Sequence, residues 1–283
     1  MSEGAIVEIE PGRVRGAHAD GIHSFKGIPY GQSTAGPGRF MRPRKPQQWS
    51  GMRDALVLGD QAPQLDRAIR PANSWIRDTT QSGENCLALN VYTPGVKDGG
   101  KRPVMVWLHG GGYTAGSGGA TGLDGSNLAQ YGDVVVVTLN HRLNAFGYCH
   151  LTGVGGDLFA DSGNAGMLDI VMALEWVRDN IGEFGGDNGN VTIFGQSGGG
   201  SKVAVMMTMP AAKGLFHKAI MQSSSSHLRL ASAENADRAA QQLMRKVGVD
   251  SADAMRGIDA DALLARYKTA VQANHGNDSF RPV

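Results

Sequence analysis

The stretch Gly195-Gln196-Ser197-Gly198-Gly199-Gly200-Ser201-Lys202 sets a serine in a glycine cluster, with an apolar run before it and a helical pattern after it. Three readings compete for these residue types. A phosphate loop needs G-x-x-x-x-G-K-[ST] between a strand and a helix. Gly195 and Gly200 have that separation, but position 201 is serine and Lys202 arrives one residue late. On a helix that lag turns the side chain by about 100°, away from a phosphate cradle. A plain glycine turn would carry no chemistry. A nucleophile elbow, G-x-S-x-G, fits Gly195, Ser197 and Gly199. Such an elbow strains the serine so that its hydroxyl stands clear of the sheet. Glycines two before and two after occupy places where a side chain would not fit. The following helix aims free N–H groups and its positive dipole end at the reaction centre.

Upstream, Trp107-Leu108-His109-Gly110-Gly111-Gly112 directly follows a strand-like run. Acyl transfer develops negative charge on a former carbonyl oxygen, and removing one preorganised donor costs about 10²–10³ in rate. A triple glycine lets bare N–H groups approach that oxygen. His109 reads as fixing the geometry of this loop by hydrogen bonding rather than as a catalytic base.

The elements that must position these residues follow from hydrophobic patterning. Residues 103–108 and 134–140 are apolar, β-branched runs of the kind found in strands covered on both faces. Between 163 and 186, Met167, Leu168, Val171, Met172, Leu174, Val177 and Ile181 recur at helical spacing, with glycines closing the end. A strand at 191–194, a helix from about Ser197 and a strand at 218–223 complete parallel βαβ units. The N-terminal runs 5–9, 13–17 and 22–28 suggest a small antiparallel meander. Residues 31–83 are rich in Pro, Gln, Arg and Ser and suggest irregular surface, and 87–94 resumes as a strand. Residues 233–272 read as two or three amphipathic helices, with no strand-like run after Gln222.

At 283 residues with a net charge of +1 the chain can bury a large core, and it has no basic or acidic block to mark nucleic acid or a membrane surface as partner. The N-terminus lacks the pattern of a secretory signal and no run is long enough to span a bilayer, so a cytoplasmic location is the expectation. Cys86 and Cys149 are expected to be buried thiols rather than a disulfide, and two cysteines without a histidine cluster make no metal site.

The segments FKGIPYG, SGENCLALNVYTP, PVMVWLHGGGYTAGSG, VVVVTLNHRLNAFGY, GNVTIFGQSGGGSKV and FHKAIMQSSS, in this order, resemble the type-B carboxylesterases, the cholinesterase-like and para-nitrobenzyl esterase-like branch of the α/β-hydrolases. The resemblance implies an α/β-hydrolase fold, with a mostly parallel central sheet flanked by helices and a small antiparallel meander at the N-terminus. It implies hydrolysis of a small-molecule carboxylic ester through an acyl-enzyme on Ser197, with Gly111, Gly112 and Gly198 as oxyanion-hole donors and no metal or organic cofactor. It also pairs Arg39 with Glu84 in a buried ion pair. The other reading it leaves is a non-catalytic cholinesterase-like scaffold or adhesion domain.

The chain departs from its relatives in four places. Gln196 stands where Glu is frequent, which weakens any expectation of cationic substrates. Cys86 matches half of a common disulfide whose partner position holds no cysteine. Residues 224–226 make a more polar run than usual. The fourth departure concerns the triad, which in this fold follows the order Ser, acid, His. After Ser197 the acids are Glu234, Asp237, Asp250, Asp253, Asp259 and Asp261, with His275 last; His217 and His227 come too early. These acids fall in predicted helices, with no later strand to carry them to the sheet edge. Residues 1–283 are therefore expected to be the N-terminal portion of a single α/β-hydrolase domain. The Glu or Asp and the His are expected on a following segment or second chain.

Overall fold

In a computed structural model that describes residues 4–66, 71–224, 230–273 and 280–283, the apolar runs become ten strands. These are β1 (Ile6–Ile9), β2 (Gly12–Arg15), β3 (Ala17–Ala19), β4 (Ile22–Pro29), β5 (Met52–Asp54), β6 (Ala88–Thr93), β7 (Arg102–Leu108), β8 (Val135–Leu139), β9 (Gly186–Gln196) and β10 (Lys218–Gln222). The principal helices are α1 (Ser126–Gly132), α2 (Ala165–Asn180), α3 (Gly198–Thr208), α4 (Ala233–Val247), α5 (Ala252–Arg256) and α6 (Ala260–Ala273). Seven strands form the main sheet in the order β10-β9-β7-β8-β6-β4-β3. The sheet is mixed. Strands β8, β7, β9 and β10 run parallel, whereas β6, β4 and β3 join antiparallel. The parallel half carries the serine.

The continuous valine run of β8 is explained by cover on both faces. Val135, Val137 and Leu139 face the main core with Ile170, Leu174 and Val177 of α2, while Val136 packs with Ala129 of α1 and Tyr92 of β6. Helix α2 is buried along most of its length, and the chain leaves it through a short 3₁₀ turn to Gly185, whose φ of 73° allows the reversal into β9. Strand β9 begins earlier than its apolar core suggests. Gly186 pairs with Arg102, and a register break spanning Asp187–Asn190 precedes the regular pairing from Val191 onward.

The N-terminal runs differ from a single meander. Strands β1 and β2 pair antiparallel in a separate small sheet, while β3 and β4 enter the main sheet. The break falls at Gly16, where a Cβ would lie 2.7 Å from the Phe25 ring. The third strand of the small sheet is β5, parallel to β2, from the segment expected to be irregular. That segment is also not all surface, since Thr34, Arg39, Phe40, Ala55 and Ala62 are buried. The C-terminal region is three helices, and among the described residues no strand follows β10. Ser232 opens α4 by accepting the Asn235 N–H at 3.3 Å, and Gly248 closes it with φ 83°.

Candidate active site

Ser197 sits between β9 and α3 with φ 55° and ψ −121°, a region that side-chain-bearing residues rarely occupy. Its N–H donates to the Gln222 carbonyl at the end of β10 (2.9 Å), and its own carbonyl accepts from Ser201 (3.1 Å), starting the helix. The residue is exposed, although its neighbours Gly198, Gly199 and Gly200 are buried. The flanking glycines are sterically required. A Cβ on Gly195 would lie 2.6 Å from the Leu108 carbonyl oxygen and from the Gly199 backbone, and one on Gly199 only 2.0 Å from that same Leu108 oxygen. The elbow is thus pressed against the end of β7.

From that end the His109–Gly112 loop lies over the elbow. A Cβ on Gly198 would fall 2.2 Å from the Gly112 nitrogen, and one on Gly110 would stand 3.9 Å from Cβ of Ser197. Gly111 and Gly112 both have positive φ, 98° and 64°. The loop's carbonyls are turned inward: the Gly111 oxygen accepts from Thr114 and Ala115, and the Gly110 oxygen accepts from Nδ1–H of His109 at 2.9 Å. In a trans peptide the next N–H points the opposite way. The amides of Gly112 and Gly111 are therefore directed away from the loop's own bonds, and among the described residues neither has an acceptor. Gln64 clamps the far side of the loop through both hydrogen bonds to Gly116, 2.8 and 3.0 Å.

Behind the loop lies a buried polar cluster. His109 and His141 stack with ring centroids 4.8 Å apart, and Lys202 donates to the His109 carbonyl at 2.9 Å. Burial, with Lys202 as a second cause, pushes His109 down to about 3, and burial likewise pushes His141 well below the ordinary histidine value. Both rings are neutral and unsuited to act as a base at the surface. Beneath them Arg142 and Asp169 form a fully buried bidentate pair, with Asp169 also accepting the Arg142 N–H at 2.9 Å. Sequence reasoning missed this pair and Lys202's contact. The only signal was the charge of Asp169 inside an otherwise apolar helical run.

The Arg39–Glu84 pair lies where the resemblance implied. Arg39 holds both carboxylate oxygens, at 2.7 and 2.5 Å, with side chains 5% and 8% exposed. Its remaining nitrogen reaches the carbonyls of Met255, Arg256 and Ile258, so the pair also anchors the C-terminal helices. Cys86 and Cys149 are buried free thiols, each raised by burial, Cys149 to about 12. They are inert as nucleophiles.

Three of the sequence's acids after Ser197 are occupied locally. Asp253 pairs with Arg256, Glu234 lies 3.5 Å from Arg238, and Asp259 caps α6 through Ala262. His217 accepts the Val191 N–H at 3.1 Å, and His150 lies 3.8 Å from Asp237. His227 and His275 lie outside the described residues, as do Ser225 and Ser226. Among the described residues no histidine is hydrogen-bonded to Ser197, no group of side chains could hold a metal ion, and no helix is long and apolar enough to cross a membrane.

Comparison with known proteins gives a consistent result. The profile of the carboxylesterase family matches residues 3–283. The chain is 40% identical over 261 residues to a para-nitrobenzyl esterase of Bacillus subtilis, covering 92% of this chain and 52% of that protein. It is 44% identical over 227 residues to human carboxylesterase 3, covering 77% and 38%. A solved Geobacillus stearothermophilus carboxylesterase superimposes with a TM-score of 0.88 at 40% identity, covering 98% of this chain and 55% of the other. A thermophilic para-nitrobenzyl esterase gives 0.90 at 38%, covering 99% and 57%. The chain therefore spans about half the length of the relatives it matches.

Proposed function

The chain belongs to the carboxylesterase family, and from that premise we propose that Ser197 is the nucleophile of a two-step hydrolysis of carboxylic esters. The Ser197 oxygen attacks the carbonyl carbon and gives its proton to a base. The alcohol leaves with that proton, and water then releases the acid from the acyl-enzyme. The Gly111, Gly112 and Gly198 amides receive the developing oxyanion. The single observation that carries this reading is the strained, exposed Ser197 packed against a glycine loop whose Gly111 and Gly112 amides have no acceptor among the described residues.

The acid and histidine of the triad come from outside residues 1–283, on a following segment or a second chain. Two observations support this. The relatives are about twice as long, and every residue of β10, the edge strand beside the elbow, is exposed, with Ile220 at 43% and Met221 at 50%. Parallel strands are ordinarily buried on both faces. The paired-free Cys86 and Cys149 fit a reducing, cytoplasmic setting. Gln196 leaves no carboxylate beside the serine, so this position gives no support to a cationic, choline-like ester as substrate. A catalytically silent scaffold has no observation here in its favour.

The test is a fluorophosphonate probe on the protein that contains this chain together with its complement. Stoichiometric labelling at Ser197, abolished by Ser197→Ala, is the expected result. A complemented protein that leaves Ser197 unlabelled overturns the assignment.

A further inference from the structure

Three lysine or arginine side chains are buried among the described residues, Arg39, Arg142 and Lys202. The two arginines each hold a carboxylate, but Lys202 does not. It is fully buried, a rare state for lysine, and burying an ammonium without a counter-charge is costly. An apolar side chain of similar length would fill the same space without that cost. What Lys202 gains is confined to one segment. Its Nζ donates to the His109 carbonyl at 2.9 Å and stands 5.8 Å from the Tyr113 ring centroid. These two contacts bracket Gly110–Gly112 at both ends. Lys202 itself rides on α3, five residues after Ser197, and the His109 carbonyl already lies against the first turn of that helix, 3.1 Å from where a Gly199 Cβ would be.

We propose that Lys202 is a positioning residue for acyl transfer: its bond to the His109 carbonyl fixes the bend from which Gly111 and Gly112 present their amides, locking that loop to the helix that carries Ser197. The inference rests on the proposed nucleophile role of Ser197. Burial pushes the Lys202 pKa down to about 7, and the contact survives loss of the proton because a neutral amine still donates through N–H. Glycine loops hold their shape poorly on their own, since glycine has wide conformational freedom. Tethering one end to a rigid helix supplies the preorganisation that donors to a developing charge need.

The test uses the complete, active protein and compares an oxygen ester with the matching thionoester. The sulfur analogue is larger and a poorer acceptor, so it draws less on the loop's amides. Lys202→Met is expected to lower kcat on the oxygen ester by about 10–100-fold, the scale of misplaced catalytic groups, with KM nearly unchanged. The loss on the thionoester is smaller, so the oxygen-to-sulfur rate ratio falls. Lys202→Gln keeps an N–H donor on a shorter stem and falls between wild type and the Met variant. Should the Met variant fail to fold, the Gln variant carries the test alone through the same ratio. An unchanged ratio in a folded variant, with or without an equal loss on both substrates, makes Lys202 a packing residue and overturns the proposal. Absence of ester turnover and of Ser197 labelling in the wild type instead overturns the nucleophile reading itself.

Discussion

Ser197 holds φ 55° and ψ −121° because Gly195 and Gly199 are pressed against Leu108 and leave the chain no other path. Such a backbone costs about 1–3 kcal/mol for a residue with a Cβ. Glycine escapes this cost but gives back about 0.4–1 kcal/mol through the greater freedom of its unfolded chain. Ser197→Gly is therefore expected to be more stable than Ser197→Ala by about 1 kcal/mol, the difference between those two effects. Both variants lack the hydroxyl, so the comparison isolates the backbone. Denaturant titration of the two proteins measures it, and an alanine variant as stable as the glycine variant would show that the elbow stores no strain. Exposure of the serine, by contrast, needs no compensating contact: its neighbours are buried and it is not.

At the scale of elements, the stacked His109 and His141 join the end of β7 to the end of β8 and set how the molecule responds to acid. Burial is the main reason both are hard to protonate. Among charged groups, Lys202 from α3 opposes protonation of both rings, and Arg142 from the β8 end opposes that of His141. Each folded-state value is depressed, so below the ordinary 6.5 the unfolded chain binds protons that the folded chain refuses. Stability then falls as pH drops from about 6.5 towards 3, where His109 itself protonates. Each refused proton contributes a slope of up to about 1.4 kcal/mol per pH unit. His141→Phe keeps a flat ring in the stack and removes one of these protons. Its unfolding free energy is expected to fall less steeply than the wild type's between pH 6 and 4.5, on the order of half the histidine contribution. Equal slopes would show that His141 takes its proton as readily in the folded chain as in the unfolded one. The sequence made this cluster only partly legible. Glycine spacing announced the elbow and the loop, because steric exclusion acts on residues close in the chain. The four central strands were legible because Val135–Leu139 and their neighbours are covered on both faces. The fate of Lys202, the Arg142–Asp169 pair and the split of the N-terminal runs at Gly16 depend on contacts between distant segments, which no local pattern records. For β10 the apolar run gave the strand correctly, but its exposure depends on what lies beside it.

Across the whole molecule, the main sheet has two edges of different character. At the β3 end the strands turn antiparallel and the edge is a three-residue strand, but at the β10 end the edge stands beside the elbow with all five residues exposed. An exposed edge bearing Ile220 and Met221 is a template for pairing with another strand. In the proposed complete enzyme that strand comes from the complementary segment, and the same junction delivers the acid and histidine to Ser197. Pairing and activity should therefore appear together. Amide hydrogen exchange over Lys218–Gln222 tests this, comparing residues 1–283 alone with the same residues in the complemented protein. The outward amides of β10 are expected to exchange as freely as an unstructured loop in the isolated chain and to become protected on complementation, in step with gain of ester hydrolysis. Two replacements sharpen the result, because Ile220→Lys and Met221→Lys add charge to opposite faces of the open edge strand, and Ile220, paired in register with Phe194 rather than with the elbow glycine Gly195, gives the cleaner comparison. They are expected to leave the isolated chain no less soluble while weakening complementation and activity in parallel. If hydrolysis were restored while the β10 amides still exchanged freely, the base would reach Ser197 by another route and the open edge would have a different purpose.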